Sequence, residues 1–387
     1  MTISWGNLDV RVYAAEAWVS LAQRFASEHP VIVDRLEEII ADPVPSVRLQ
    51  VAQNLQVIHA AAPERMWRVG ERIAAEEVDL QVLSAYLGQS MRRFSHSDPD
   101  RCEKVLMIVR GRLDAVFADN RQGYNLLQGS LGGLTAQMFV GQARALIRAW
   151  LEEWAADPAR YGELLDSFTS PLRETFFRRY APNAATQARA MCDRAQEGLD
   201  LILTSATSIS ADAYAVLVAN PSDEDGAREQ YRAAEKVINH AMDQLYFGSG
   251  AYANNREDGE GLPDVAAKKQ FLIDYSKILK LLASSREPAT LHRLVELYEF
   301  LIPGDPVAVF EAIHAILLGR GEEEGYHYES LGNTKVVSII QRYIADYRTL
   351  FDDEDRRARL ATILNLFSTA GWPDALKLLY DLPDLLR

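Results

Sequence analysis

The sequence predicts an all-α protein: an α–α superhelix of stacked helix pairs in its first part, followed by less regular helical repeats. Three observations predict it. A stretch beginning at Val10 reappears 37 residues later, at Val47. Helix-start signals, mostly proline after a capping residue, recur along the whole chain. No alternation of β-branched and polar residues is long enough for a strand; "LILTSATSI" comes nearest and is short.

In the repeat, "VRVYAAEAWVSLA" lies over "VRLQVAQNLQVIH", pairing Val10 with Val47, Arg11 with Arg48, Ala15 with Ala52 and Trp18 with Leu55. Upstream of the second copy, Val33, Leu36, Ile39 and Ile40 fall at helical spacing and run into Asp42-Pro43. Pro43 and Pro45 cannot lie inside a helix but suit its first turn, and Ser46 can cap there. Val47, Val51, Leu55 and Ile58 then form one apolar stripe. The unit is helix, proline turn, helix, and such a period marks an α-solenoid, whose pairs bury their faces on their neighbours. A third pair spans "PERMWRVGERIAAEE" and "VDLQVLSAYLGQSMRRF", with Val78-Asp79 where Val-Arg is expected and no proline in the turn.

The string "DPVPSVRLQVAQNL" resembles the turn and second helix of a HEAT repeat, and the resemblance covers about residues 8–95. It implies that Asp42 and Arg48, with Arg11 one unit earlier, form the ladder tying neighbouring repeats, a structural role. An inter-repeat hydrogen bond there would make Arg48→Ala cost about 1–3 kcal/mol. Because Val10-Arg11 falls in a second helix, the N-terminal edge is expected to be covered by a partner, a second subunit or further protein.

Beyond Asp98-Pro99 the chain still reads helical, through "DPDRCEKVLMIVRGRLDAVF" and an uncharged stretch, Gln122 to Ala143, too polar to span a bilayer. Gly129, Gly133 and Gly141 stand in line there, with Gly132 off the register, which suggests a closely crossed central helix. Further starts are expected at Asp157-Pro158, Ser170-Pro171, Pro182-Asn183, Pro221-Ser222 and Pro288. Two Gly- and charge-rich stretches, Phe247–Asp264 and Gly319–Asn333, are predicted as long loops. At the end Gly371 can stop a helix and Pro373 begin another, carrying Leu376, Leu379 and Tyr380 on one face. The expected organisation is HEAT-like repeats over 1–120 and a helical domain over 121–387.

The chain has 387 residues, 48% hydrophobic and 25% charged, as in soluble globular proteins. Its formal charge of -14 is uneven: residues 1–150 carry 16 Lys+Arg against 17 Asp+Glu, and the remainder 25 against 38. This disfavours phosphate-rich partners and anionic membranes, and favours a basic protein partner. Only eight basic residues are lysine, the usage of a GC-rich bacterial genome. Cys102 and Cys192 sit in apolar helical patterns, so no disulfide or zinc site is expected, and the cytoplasm is the expected compartment.

Nucleotide-loop, dinucleotide and nucleophile-elbow motifs are absent from the sequence. The seven histidines form no zinc motif. The one weak metal candidate is His327 with Glu323 and Glu324 in "EEEGYHYES". The resulting expectation is a non-catalytic protein-interaction scaffold or regulatory module without cofactors, one part of a larger system. Partner contacts are expected at the concave face, the N-terminal edge or the C-terminal helix, with Tyr252, Arg256, Tyr326, Tyr328, Trp372, Leu376, Leu379 and Tyr380 as anchors. Two alternatives remain. A HEAT-like nucleic-acid binder would gather Arg92, Arg93, Arg110, Arg112, Arg144 and Arg148 on one face. A small-ligand or metal-dependent enzyme would use His327 and the glutamates.

Overall fold

The computed structural model describes residues 9–116, 121–219, 224–253 and 261–385, and among these every regular element is helical. The chain divides into two compact units, residues 1–150 with 163–171 and residues 151–162 with 172–387.

In the first unit, α1 (Val10–Phe25), α2 (Val31–Ile39), α3 (Pro45–Ala52), α4 (Pro63–Glu76), α5 (Leu80–Ala85), α6 (Pro99–Val116) and α7 (Arg121–Gln142) form two series. α1 packs on α3, α3 on α5 and α5 on α7; alongside them α4 packs on α6. Prolines open the second series: Pro30 caps α2, Pro63 is in the first turn of α4, and α6 begins at Pro99. Arginines tie it together, since Arg72 donates to the Glu37 carbonyl at the end of α2, and Arg112 to the Ala74 and Glu77 carbonyls at the end of α4. Each guanidinium thus satisfies carbonyls that a helix C-terminus leaves open. α7 belongs to this stack through α5.

The third pair shows the register the sequence hid. Asp79 caps α5 through the Gln81 and Val82 amides, as Asp42, 37 residues earlier, accepts from the Val44 amide. Asp79 is therefore the counterpart of Asp42, not a replaced arginine. α3 ends early, and the Leu55 amide that would continue it donates to the buried Ser90 hydroxyl.

α8 (Ala145–Ala156) and α9 (Pro158–Thr169) follow, and the division runs through both. Within the first unit the close helix approach is made by Gly132, the glycine out of line. A Cβ on it would meet the Leu164 carbonyl oxygen at 2.7 Å and Ser167 Cβ at 2.8 Å, whereas one on Gly129 would meet only Ser167 Oγ at 3.7 Å. Gly132→Ala is accordingly expected to destabilise by about 1–3 kcal/mol through overpacking against backbone that cannot yield. Gly129→Ala should gain about 0.5–1 kcal/mol from helix propensity. Urea denaturation of the pair checks both signs.

The second unit contains α10 (Thr186–Ala219), α11 (Glu224–Ser249), α12 (Val265–Asp274), α13 (Ser276–Leu282), α14 (Pro288–Leu301), α15 (Pro306–Leu317), α16 (Arg320–Glu323), α17 (Ser330–Asp346), α18 (Glu354–Thr369) and α19 (Pro373–Leu385). Here too helices stack in series: α11 on α14, α14 on α17, α17 on α19, with α10 on α13 and α15 on α18. α10 contains "LILTSATSI" without interruption. By length and composition it could cross a membrane, yet it runs along α11, burying a stripe that includes Leu199, Ile202, Leu203, Ala206, Ser210 and Ala213.

One expected helix start fails: Ser170-Pro171 opens only a 3₁₀ turn. The start at Pro182-Asn183 comes three residues later, at Thr186, after Asn183 turns the chain at φ +66°. Pro221-Ser222 lies outside the described residues, as does part of the predicted loop 247–264. The other predicted loop, 319–333, is folded: α16, a 3₁₀ turn over Tyr326–Tyr328 and the start of α17 occupy it.

Candidate protein-interaction surface

Arg11, Asp42 and Arg48, expected to form a ladder, lie close together. Arg48 clasps Glu77 with two bonds, Nε to Oε2 at 2.8 Å and Nη2 to Oε1 at 2.6 Å, while Nη1 donates to the Asp42 carbonyl at 2.8 Å. Arg11 reaches the Asp42 carboxylate at 3.5 Å in a more exposed setting. Glu77, the buried partner, was missed by sequence reasoning, which carried no signal separating it from Glu76.

The glutamate-rich segment does not gather around His327. Glu323 pairs with Arg320 at 2.5 Å and Glu324 with Arg286 at 2.5 Å, each satisfied by a different arginine. His327 is buried, and the Trp372 indole donates to its carbonyl at 2.7 Å. Among the described residues no group of three or more His, Cys, Asp or Glu could hold a metal ion.

The six arginines sit in different settings. Arg112 binds helix-end carbonyls, Arg144 pairs with Glu103 at 2.7 Å and with Asp100, and Arg110 stacks on the Trp150 ring at 4.6 Å. Arg93 and Arg148 are exposed; Arg92 faces the Gln137 amide.

The predicted anchors among the described residues separate into three classes. Tyr326 is buried, with its hydroxyl 3.0 Å from His292 Nδ1, and is no surface anchor. Trp372 and Leu379 are half-buried. Tyr252, Tyr328, Leu376 and Tyr380 are exposed, Tyr380 at 77%; Arg256 lies outside the described residues. α19 begins after Gly371, whose φ of +95° reverses the chain at the end of α18. Its inner residues Ala375 and Leu382 are buried where it packs on α18. Leu376, Leu379, Tyr380 and Pro383 line the adjoining side at i, i+3, i+4 and i+7, with half-buried Leu379 nearest the packed face. The helix thus packs on α18 and α17 with one face and shows solvent an apolar stripe beside it.

A polar cavity of 390 Å³ opens beside α11 at the start of α14, lined by Arg232, Glu235, Lys236, Asn239, His240, Asp243 and Glu287. Glu235 at its wall is 2% exposed. Burial, and then the Glu235 and Glu324 carboxylates, raise the pKa of Glu287 above the ordinary carboxylate value. An acid held more tightly protonated in the native state loses native-state stability as pH rises from its usual pKa through its folded one. Glu287→Gln is therefore expected to raise the melting temperature at pH 7 relative to the parent and to leave it unchanged well below the usual carboxylate pKa. Thermal melts at the two pH values check this.

Both cysteines are buried, and burial pushes the Cys102 thiol up to about 12 and raises Cys192 as well. Neither a protein-family model nor a curated protein matches the chain.

Proposed function

We propose that this protein is a non-catalytic interaction scaffold of the HEAT-like solenoid type, working in the cytoplasm and binding another protein through α19. The observation that carries this reading is the stripe of Leu376, Leu379, Tyr380 and Pro383 on a helix whose other face is already packed. Large exposed apolar residues in a contiguous row mark an interaction site, and tyrosine is a favoured anchor. The stacked helix series and the 37-residue register of Asp42 and Asp79 support a solenoid, in which binding depends on presented surface. The acidity of the residues after 150 favours basic groups on the partner.

The test is affinity purification from the native host at low and moderate salt, with the parent and with Leu376→Asp/Tyr380→Asp, whose fold is checked by circular dichroism. A stoichiometric protein partner, an untagged copy of the chain included, held by the parent and lost from the variant supports the reading. Recovery of nucleic acid, or of the chain alone with a bound small molecule, overturns it.

A further inference from the structure

Beside its apolar face, α11 carries a row of charged and amide side chains. Arg232, Glu235, Lys236, Asn239, His240 and Asp243 recur at i, i+3, i+4, i+7, i+8 and i+11, which is one stripe of a helix. That stripe lines the 390 Å³ cavity, and Glu287, from the start of α14, lines it too. The size is that of a small-molecule site, about 300–1,000 Å³.

Most of this lining is committed to the protein itself. Glu235 accepts from two serines and a backbone amide, Asn239 donates to the Thr290 hydroxyl and accepts from Arg293, and Asp243 pairs with Arg293. His240 Nε2 lies 3.1 Å from the Gln244 amide. Two charges are left over, and they are opposite. Among the described residues the Arg232 guanidinium and the Glu287 carboxylate make no hydrogen bond or ion pair, with each other or with any other group. Glu287 occupies the N-cap of α14 without capping it, so the helix does not use its carboxylate. It faces two further carboxylates, Glu235 and Glu324, and the Arg286 guanidinium nearby is bound to Glu324. An ammonium brought to Glu287 would offset that repulsion. Arg232 does not close on it, although both line the same cavity.

We propose that this cavity binds a small zwitterion, a molecule with a carboxylate at one end and an ammonium at the other. Arg232 takes the carboxylate with its planar fork, and Glu287 takes the ammonium. A purely anionic ligand would leave Glu287 unmatched, and a purely cationic one would leave Arg232. The site shares no residue with the stripe on α19, so it adds to the scaffold reading and does not depend on it.

Isothermal titration calorimetry on the full chain at neutral pH tests this with the straight-chain ω-amino acids from glycine to 6-aminohexanoate, which present the two charges at increasing separation. Hexanoate and hexylamine carry one charge each and serve as controls. The expected result is millimolar or tighter binding, the range open to ligands of so few atoms, that peaks at one chain length and is absent for both controls. Arg232→Gln and Glu287→Gln should each weaken it about tenfold or more, the loss of one charge-assisted bond. Glu287→Gln is also the change expected to raise the melting temperature at neutral pH, which separates a lost contact from a lost fold; circular dichroism does the same for Arg232→Gln. No binding by any member of the series up to about 50 mM overturns the proposal, as does binding that either substitution leaves unchanged. Hexylamine binding as tightly as the best amino acid overturns it too, and would make the cavity a site for a simple cation.

Discussion

Arg48→Ala should destabilise the first unit by about 3–5 kcal/mol, the cost of leaving a buried carboxylate without its cation. That is a large share of the about 5–15 kcal/mol that holds a typical domain folded. The reason lies in burial at both ends of the pair, 12% side-chain exposure for Arg48 and 6% for Glu77. With the guanidinium gone, Glu77 keeps only the Asp79 amide, which donates to Oε1 at 2.8 Å, and the Asp42 carbonyl loses its donor too. Arg11 provides the internal control. It is the same residue type one period earlier, but its side chain is 51% exposed and it stands 3.5 Å from Asp42. Arg11→Ala should cost less than about 1 kcal/mol. Arg48→Lys cannot restore the parent, because an ammonium lacks the planar fork that engages both Glu77 oxygens. In urea denaturation, Arg48→Ala/Glu77→Ala should cost less than the sum of the single changes, since the pair is lost only once. A melting temperature unmoved by Arg48→Ala would show that the ladder carries none of the inter-repeat stability.

The contrast between these arginines also shows what a sequence discloses. The turn prolines act within a few residues, so their signals are local and were legible, as were the helical class and the stripe through Val47 and Val51; the cap expected at Ser46 does not form, because α3 begins at Pro45 after Val44 and the Val44 amide is taken by Asp42. Glu77 was not legible, because its partner is 29 residues away and nothing in "AAEEVD" distinguishes it. The segment 319–333 was misread for a physical reason. Its glycines suggest a loop, but a Cβ on Gly321 would lie 2.9 Å from the Ile316 carbonyl oxygen, and one on Gly332 2.9 Å from that of Tyr326. These glycines permit close packing, and only Gly325, at φ +76°, is there for its backbone conformation. Tyr326 was taken for a surface anchor because exposure depends on α14 and α17, which fold around it from both sides in the sequence. The stripe on α19 was legible, as 3.6-residue periodicity is a property of the helix alone; which side α18 would cover was not.

Glu235→Ala should be the most damaging change in the second unit away from its apolar core, at about 3–4 kcal/mol from three donors left unmatched. Glu235 receives the Ser210 hydroxyl at 2.5 Å, the Ser285 hydroxyl at 2.7 Å and the Arg286 amide at 3.4 Å. These partners come from α10 and from the segment before α14, so one carboxylate joins three parts of the chain. The nearby Arg286 guanidinium does not neutralise it, being bound to Glu324 and stacked 3.6 Å from the Tyr214 ring centre. Glu235→Gln separates hydrogen bonding from charge. The amide keeps an acceptor for one hydroxyl, the other hydroxyl can turn to accept, and the negative charge facing Glu287 disappears. If bonding dominates, Glu235→Gln should cost about 1 kcal/mol at neutral pH and restore most of what Glu235→Ala loses. If charge dominates, Glu235→Gln should melt above the parent at pH 7, and the pH dependence assigned to Glu287 should shrink with it. The second outcome would mean that the protein holds a carboxylate beside the cavity at a cost to its own stability. Function retains such a charge where folding would discard it, and the cavity would then be a candidate binding site apart from the stripe on α19.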